Sequence, residues 1–372
     1  MAIHLTQFEV GTFRGIKQLA IPNMNHINIL AGDNNCGKTS ILESILLLRA
    51  PLELSNVIRI ARMRNKGIRW NGENPYQSFM TLFPHAQDDF SSQSTLSVSA
   101  HLQGAVVSYQ LSGGEETVML DAETMRSNMN PGSPKILREG LPQECLEFQG
   151  TQTYSLNDRS HSKEFSFNEF DSIGKFPISK ASLFNVVYLS PLDHLEGNLF
   201  SHIISNPGYK NLCVSVLQQF DPDIRDLLLL KDRRSGRTVE CIEHRLLGTM
   251  PLSTYGDGIK KVLSIASGLA SARNGILLID EIETALHAKY YESIFSFIML
   301  ASQKFDVQVF ITTHSLEAID SFLAIEDYDQ QQDHDDLSII TLKKVPDRSY
   351  SRVLSGRRVY ENREQFGFEV RL

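Results

Sequence analysis

The stretch Gly32-Asp33-Asn34-Asn35-Cys36-Gly37-Lys38-Thr39-Ser40 has the spacing G-x-x-x-x-G-K-[ST] of a nucleoside-triphosphate phosphate loop. Its chemistry follows from its residue types. Glycines let the backbone curl so that N–H groups face phosphate oxygens, and a helix starting there adds the positive end of its dipole. Lys38 has the reach to meet β- and γ-phosphates, and the Thr39 hydroxyl suits Mg²⁺. Gly32, Asn34, Asn35, Cys36, Gly37, Lys38, Thr39 and Ser40 are therefore candidate nucleotide contacts. Cys36 reads as a small filler residue rather than a nucleophile.

Two further groups lie far downstream. Gly275–Ile279 is an apolar run that ends in Asp280-Glu281. A continuous apolar strand suits the centre of a sheet covered on both faces, and ligands bind at the carboxyl ends of such strands. Asp280 there is a candidate Mg²⁺ ligand, and Glu281 a candidate base for the attacking water. The competing reading is a solvated Asp-Glu turn. Val307–Ile311 predicts another strand, followed by Thr312-Thr313-His314-Ser315. His314 is a candidate γ-phosphate contact. Its plainer reading is a strand-end residue capping the helix that starts near Ser315.

The elements that must position these residues are legible. Ile27–Leu30 predicts a buried strand before the phosphate loop, and Ile41–Leu48 a helix after it. A helix over about 287–303 predicts a right-handed βαβ crossover, which puts His314 at the same sheet edge as Asp280 and Glu281. Upstream, Gly256-Asp257-Gly258 opens a helix with Val262, Leu263, Ile265, Ala266 and Leu269 at helical spacing. A glycine-rich helix start is a second candidate anion site. A twofold dimer accounts for two such sites, with the second facing the nucleotide held by the other subunit.

The order of phosphate loop, Gly-rich signature helix, Asp-Glu strand and Thr-His-Ser resembles ABC-type ATPase heads. More narrowly, Leu5-x-x-Phe8, Phe13-Arg14-Gly15-Ile16 and Ile27–Glu43 resemble the opening of OLD-like, RecF/SMC-related AAA-family ATPases. Asp280–His287 resembles that family's Asp-Glu strand and the loop after it, and Gln365–Arg371 the tail of its small members. The resemblance covers residues 1–50 and 250–372. It implies an α/β fold: an ABC-type P-loop NTPase head with a mixed, largely parallel sheet. Residues 51–249 are then an inserted β-rich and helical lobe. It implies ATP and Mg²⁺ as cofactors, catalytic roles for Lys38, Glu281 and His314, metal binding by Thr39 and Asp280, and nucleotide contacts at Gly256, Asp257 and Gly258. The signature departs from the family pattern at Gly256, where a serine is usual; Ser253 is its possible substitute. No Gln-loop is evident near the strand Asn185–Pro191.

The resemblance implies an ATP-dependent homodimer or higher oligomer that switches a separately encoded effector, such as a nuclease, in bacterial anti-phage defence. The alternative is a RecF/SMC-like ATPase that binds DNA in repair or recombination. A transporter ATPase fits less well, given the RecF-like opening. Asp333-His334-Asp335-Asp336 superficially offers the paired acids of a Toprim nuclease. Too few residues follow for such a sheet, so these acids read as a surface loop.

Composition is that of a soluble globular chain: 372 residues, 41% hydrophobic, 22% charged, net charge −8. That balance argues against a generally basic nucleic-acid coat. No apolar run reaches about 18 residues, so no membrane segment is expected. The four cysteines form no C-x-x-C pair, and a reduced cytoplasm is expected.

The middle of the chain is less specific. Residues 52–69, with Arg59, Arg62, Arg64, Lys66 and Arg69, predict a basic amphipathic helix, most simply a solvated face. Alternation over 94–120 predicts strands with a turn at Gly113-Gly114. Residues 121–178 predict flexible loops with short strands near Phe165 and Phe167. Residues 195–230 look helical, 231–237 look like a hairpin turn, and 337–360 like two closing strands.

Overall fold

A computed structural model describes residues 4–65, 74–84, 93–102, 104–121, 123–125, 142–176, 182–196, 198–232, 235–325, 335–345 and 348–366. Lys66, Arg69, Asp333, His334 and the tail 367–371 lie outside the described residues, as do 122, 126–141 and 177–178 within the stretch 121–178.

The fold is α/β and is organised by a six-stranded mixed sheet. Its strands are β3 (Ile27–Gly32), β8 (Val186–Leu189), β12 (Ile276–Ile279), β13 (Gln308–Thr312), β14 (Leu337–Val345) and β15 (Arg348–Ser355). They lie in the order β15-β14-β3-β13-β12-β8. The five from β14 to β8 run parallel, and β15 pairs antiparallel at the edge. Side chains alternate between two buried faces, as a strand period of two requires. Ile27, Ile29, Leu277, Ile279, Val309 and Ile311 enter one core. Leu30, Ile276, Leu278 and Phe310 enter the other.

Helices Pro207–Leu217, Asp257–Ser271, Tyr291–Phe305 and Leu316–Leu323 supply residues to the first core. The helix Lys38–Ile45 and a second sheet supply the other. That second sheet is antiparallel, in the order β2-β1-β4-β5-β6-β7, with β1 (Leu5–Phe13), β2 (Ile16–Ile21), β4 (Ser94–Leu102), β5 (Ala105–Leu120), β6 (Gln143–Leu156) and β7 (Arg159–Asn168). The opening hairpin β1-β2 thus continues into strands from the middle of the chain, and β8 from the middle joins the parallel sheet. A third sheet of β9 (Ile224–Lys231), β10 (Thr238–His244) and β11 (Gly248–Pro251) stands beside them.

Several local expectations are corrected. Gly113-Gly114 is no turn: both lie inside β5, where Gly113 faces Gly150 of β6. A Cβ on Gly113 would sit 2.2 Å from the Gln149 carbonyl oxygen and 2.5 Å from the Phe148 ring. These glycines make room for an aromatic layer in which Phe148 stacks on Phe83 and Phe165. Leu227–Leu230 is strand rather than helix, because it pairs antiparallel with β10. A short leucine run has no period that distinguishes the two. The expected hairpin after it is present, with Asp232 N–H donating to the Arg237 carbonyl. Near Phe165 and Phe167 a ten-residue strand replaces the short pieces. The amphipathic helix spans Leu54–Arg62.

Asp335 is more than a surface acid: its carboxylate accepts from the backbone N–H groups of Leu337, Gly356 and Arg357. The closing strands are β14 and β15. Among the described residues no helix is long and apolar enough to cross a membrane.

Candidate functional site

The phosphate loop follows β3 directly, and its shape depends on its glycines. Gly32 has φ +134°, and a Cβ there would lie 2.6 Å from the Leu342 carbonyl oxygen. Gly37, the N-cap of the next helix, has φ +106° and no side-chain cap. Asn35 also takes a left-handed φ of 63°. Asp33, Asn34 and Asn35 form the exposed crest, while Cys36 is buried beneath it. Lys38 is 5% exposed, and its Nζ donates to the carbonyl oxygens of Gly32 and Asp33, each at 2.8 Å. The ammonium therefore lies along the loop, where it can turn to a phosphate without crossing solvent. Ser40 Oγ accepts from Arg64 at 2.8 Å, so this hydroxyl faces the protein's own arginine.

Asp280 and Glu281 directly follow β12, two strands from β3, and His314 follows β13 between them. Parallel pairing brings all three to the carboxyl edge of the sheet beside the loop. Asp280 is 4% exposed and is held by three hydroxyls. Thr39 Oγ1 donates to Oδ1 at 3.1 Å, Thr312 Oγ1 to Oδ1 at 2.6 Å, and Tyr188 Oη to Oδ2 at 3.0 Å. Thr312 Oγ1 also accepts from the Glu281 N–H at 2.8 Å, which helps fix that residue in a left-handed conformation, φ 47°. The His314 N–H donates to Glu283 Oε1 at 2.6 Å. The helix after it is capped by Ser315, whose Oγ accepts from the Ala318 N–H. His314 is therefore not the cap.

The donor set fits one hard divalent cation. Asp280 and Thr39 present oxygen ligands within 3.1 Å of each other, and Mg²⁺ favours few protein oxygens completed by phosphate and water.

Tyr188, which no sequence pattern singled out, completes the site with a buried charge cluster behind the loop. Tyr188 lies on β8, and its phenol is pushed up by burial, with Asp280 and Glu43 adding to the effect. Behind the loop, Glu43 is fully buried, accepts from both Nε and Nη2 of Arg64, and forms an ion pair with Arg14, whose Nε lies 2.8 Å from Oε2. Burial lowers the Arg14 guanidinium despite that carboxylate. No local motif points to Tyr188; Arg14 and Arg64 lie in segments legible in the sequence, but their meeting at Glu43 became visible only when strands and helices were placed.

Gly256–Gly258 is set apart. Gly256 N-caps Asp257–Ser271 without a side-chain bond, and Gly256 and Asp257 are exposed. Its link to the rest is through Gly258, where a Cβ would lie 3.3 Å from the Ala285 carbonyl oxygen. Ser253 is exposed just before it. Asp221, Asp223 and His244 bring potential ligand atoms within 4.8 Å of one another. However, His244 Nδ1 accepts from the Leu246 and Leu247 N–H groups, so Nε2 carries the proton and donates to Asp221. That leaves no lone pair for a metal.

Residues 27–320 match the family described as "AAA domain, putative AbiEii toxin, Type IV TA system". An ATP/GTP phosphatase of Helicobacter pylori is 23% identical over 340 residues, 87% of this chain and 89% of that one. An uncharacterised protein of Methanocaldococcus jannaschii is 32% identical over 116 residues, 31% of this chain and 98% of its own. Among solved structures, an SMC head bound to the C-winged helix domain of ScpA superimposes with a TM-score of 0.49 at 14% identity, covering 96% of this chain and 99% of the other.

Proposed function

From the premise that the chain belongs to the AAA-domain family described as "putative AbiEii toxin, Type IV TA system", and so is an ATPase, we propose that it is a nucleotide-driven switch of the OLD-like kind that controls a separate effector protein. The observation that carries the site assignment is the meeting of three segments at one sheet edge. Thr39 bonds Asp280, Thr312 joins Asp280 to Glu281, and Glu283 holds the backbone of His314.

In this reading Gly32–Ser40 wraps the triphosphate, and Lys38 leaves its loop carbonyls for the β- and γ-phosphates. Mg²⁺, when bound at Thr39 and Asp280, neutralises phosphate charge. Glu281 takes the proton of the attacking water, and His314 donates to the γ-phosphate. The exposed, uncapped helix start at Gly256–Gly258 offers free N–H groups to the γ-phosphate held by a second subunit. Hydrolysis removes that bridge and releases the interface, so nucleotide state selects between two assemblies. The effector is proposed to be a nuclease or toxin acting in defence against phage.

The test uses the Glu281→Gln chain. It is expected to bind ATP, to turn over at least about 100-fold more slowly, and to stay dimeric with ATP, whereas Lys38→Ala fails to bind. Full turnover in Glu281→Gln removes Glu281 from its role. Purifying the trapped Glu281→Gln protein from its host with ATP tests the effector. A stoichiometric nuclease or toxin supports the switch; recovery with DNA and repair factors instead overturns it.

A further inference from the structure

The helix Asp257–Ser271 buries one cation deep in the protein. Lys261 is 2% exposed, and its Nζ has no hydrogen-bond partner. An ammonium has three protons to donate, and leaving them unmade in the interior is costly. The charges around it are carboxylates: Glu283 foremost, then Asp193, Asp280 and Glu281. Burial nevertheless pulls the ammonium down to about 8.

Glu283 has the matching deficiency. Its Oε1 is taken by the His314 N–H, but Oε2 is buried without a partner. Two opposite charges thus share one interior region, each with an unmade bond. They also sit on different working parts. Lys261 lies one turn into the helix whose exposed start is the proposed contact for a second subunit's nucleotide. Glu283 lies on the loop that carries Glu281 and grips His314. That loop holds two non-glycine residues in left-handed conformations, Glu281 at φ 47° and Ala285 at φ 66°. Such conformations store strain that a second arrangement can release. The helix start already abuts the loop at Gly258 and Ala285.

We propose that Lys261 and Glu283 are a positioning pair, which bonds when a nucleotide engages the helix start and thereby sets Glu281 and His314 for turnover. A helix moves as a rigid rod, so a displacement at Gly256–Gly258 reaches Lys261 undiminished. By linkage, the bond stabilises whichever state the nucleotide favours. Neither side chain touches the nucleotide, and the inference rests on the ATPase reading of the site.

The test is steady-state ATP hydrolysis by the full chain with Lys261→Met, Glu283→Gln, both together, and Lys261→Arg. Each single loss is expected to lower kcat by about tenfold or more while moving KM for ATP by less than about threefold. The double variant is expected to be no slower than the worse single, because both break one bond. Lys261→Arg, which keeps the charge, is expected to recover part of kcat. Wild-type kcat in the singles, or single effects that multiply in the double, overturns the pair. If Lys261→Met does not fold, as judged by thermal melting, the isosteric Glu283→Gln decides alone by the same split of kcat from KM. Absence of Lys38-dependent hydrolysis in the wild-type chain is a different failure, which removes the ATPase reading together with the pair.

Discussion

At Asp280 both carboxylate oxygens are engaged by hydroxyls from three distant segments, Thr39, Thr312 and Tyr188. In the proposed site Asp280 holds Mg²⁺, and changing a group that orients a metal ligand typically costs about 10–100-fold in metal affinity. Tyr188→Phe removes the donor to Oδ2 and keeps the ring. The Mg²⁺ concentration for half-maximal ATPase activity is therefore expected to rise about tenfold, read from a Mg²⁺ titration at fixed ATP. An unchanged titration assigns Tyr188 a packing role only. Glu43 is the other residue on which much converges, holding Arg14 and Arg64 from full burial. Glu43→Ala leaves the Arg14 guanidinium, 9% exposed, without its carboxylate. The expected loss is about 3 kcal/mol in urea unfolding, since breaking a buried pair strands the remaining charge. Arg64, at 45% exposure, can turn to water and adds little to that loss.

Among the elements, β5 and β6 show how packing overrides a local signal. Two adjacent glycines are a strong turn signal. Here they differ completely in environment. Gly113 has backbone and a phenyl ring where its Cβ would be, whereas Gly114 has nothing within 4 Å. Gly113→Ala is expected to destabilise by about 2 kcal/mol through overpacking. Gly114→Ala is expected to be neutral or to stabilise by about 0.5 kcal/mol, through lost freedom of the unfolded chain. Chemical denaturation of the two variants side by side checks both signs. The helix Asp257–Ser271 was legible from its spacing, yet the same spacing gave no hint that Lys261 points inward among carboxylates.

At the scale of the whole molecule, burial lowers His26 and His194 below the ordinary 6.5. Below pH 6.5 the unfolded chain takes up protons that these folded histidines refuse. Stability therefore falls as pH drops from 6.5, until the folded pKa values are passed. The slope is at most about 1.4 kcal/mol per pH unit for each histidine. Melting temperature is expected to decline between pH 6.5 and 5.5, and a His26→Gln, His194→Gln variant to flatten that decline. The features legible in the residues alone are local: the phosphate loop with its strand and helix, the Asp280-Glu281 strand end, and the crossover that leads to His314. Each is a contiguous segment whose spacing encodes its backbone shape. Tertiary structure decided what depends on neighbours. Pairing with β10 made Leu227–Leu230 a strand, and pairing with β6 made Gly113-Gly114 continuous. The placement of β8 beside β12 carried Tyr188 to Asp280. Periodicity states which face of a strand is buried but not which strand lies next to it. Contacts between residues so far apart in the chain are fixed only when the sheet forms.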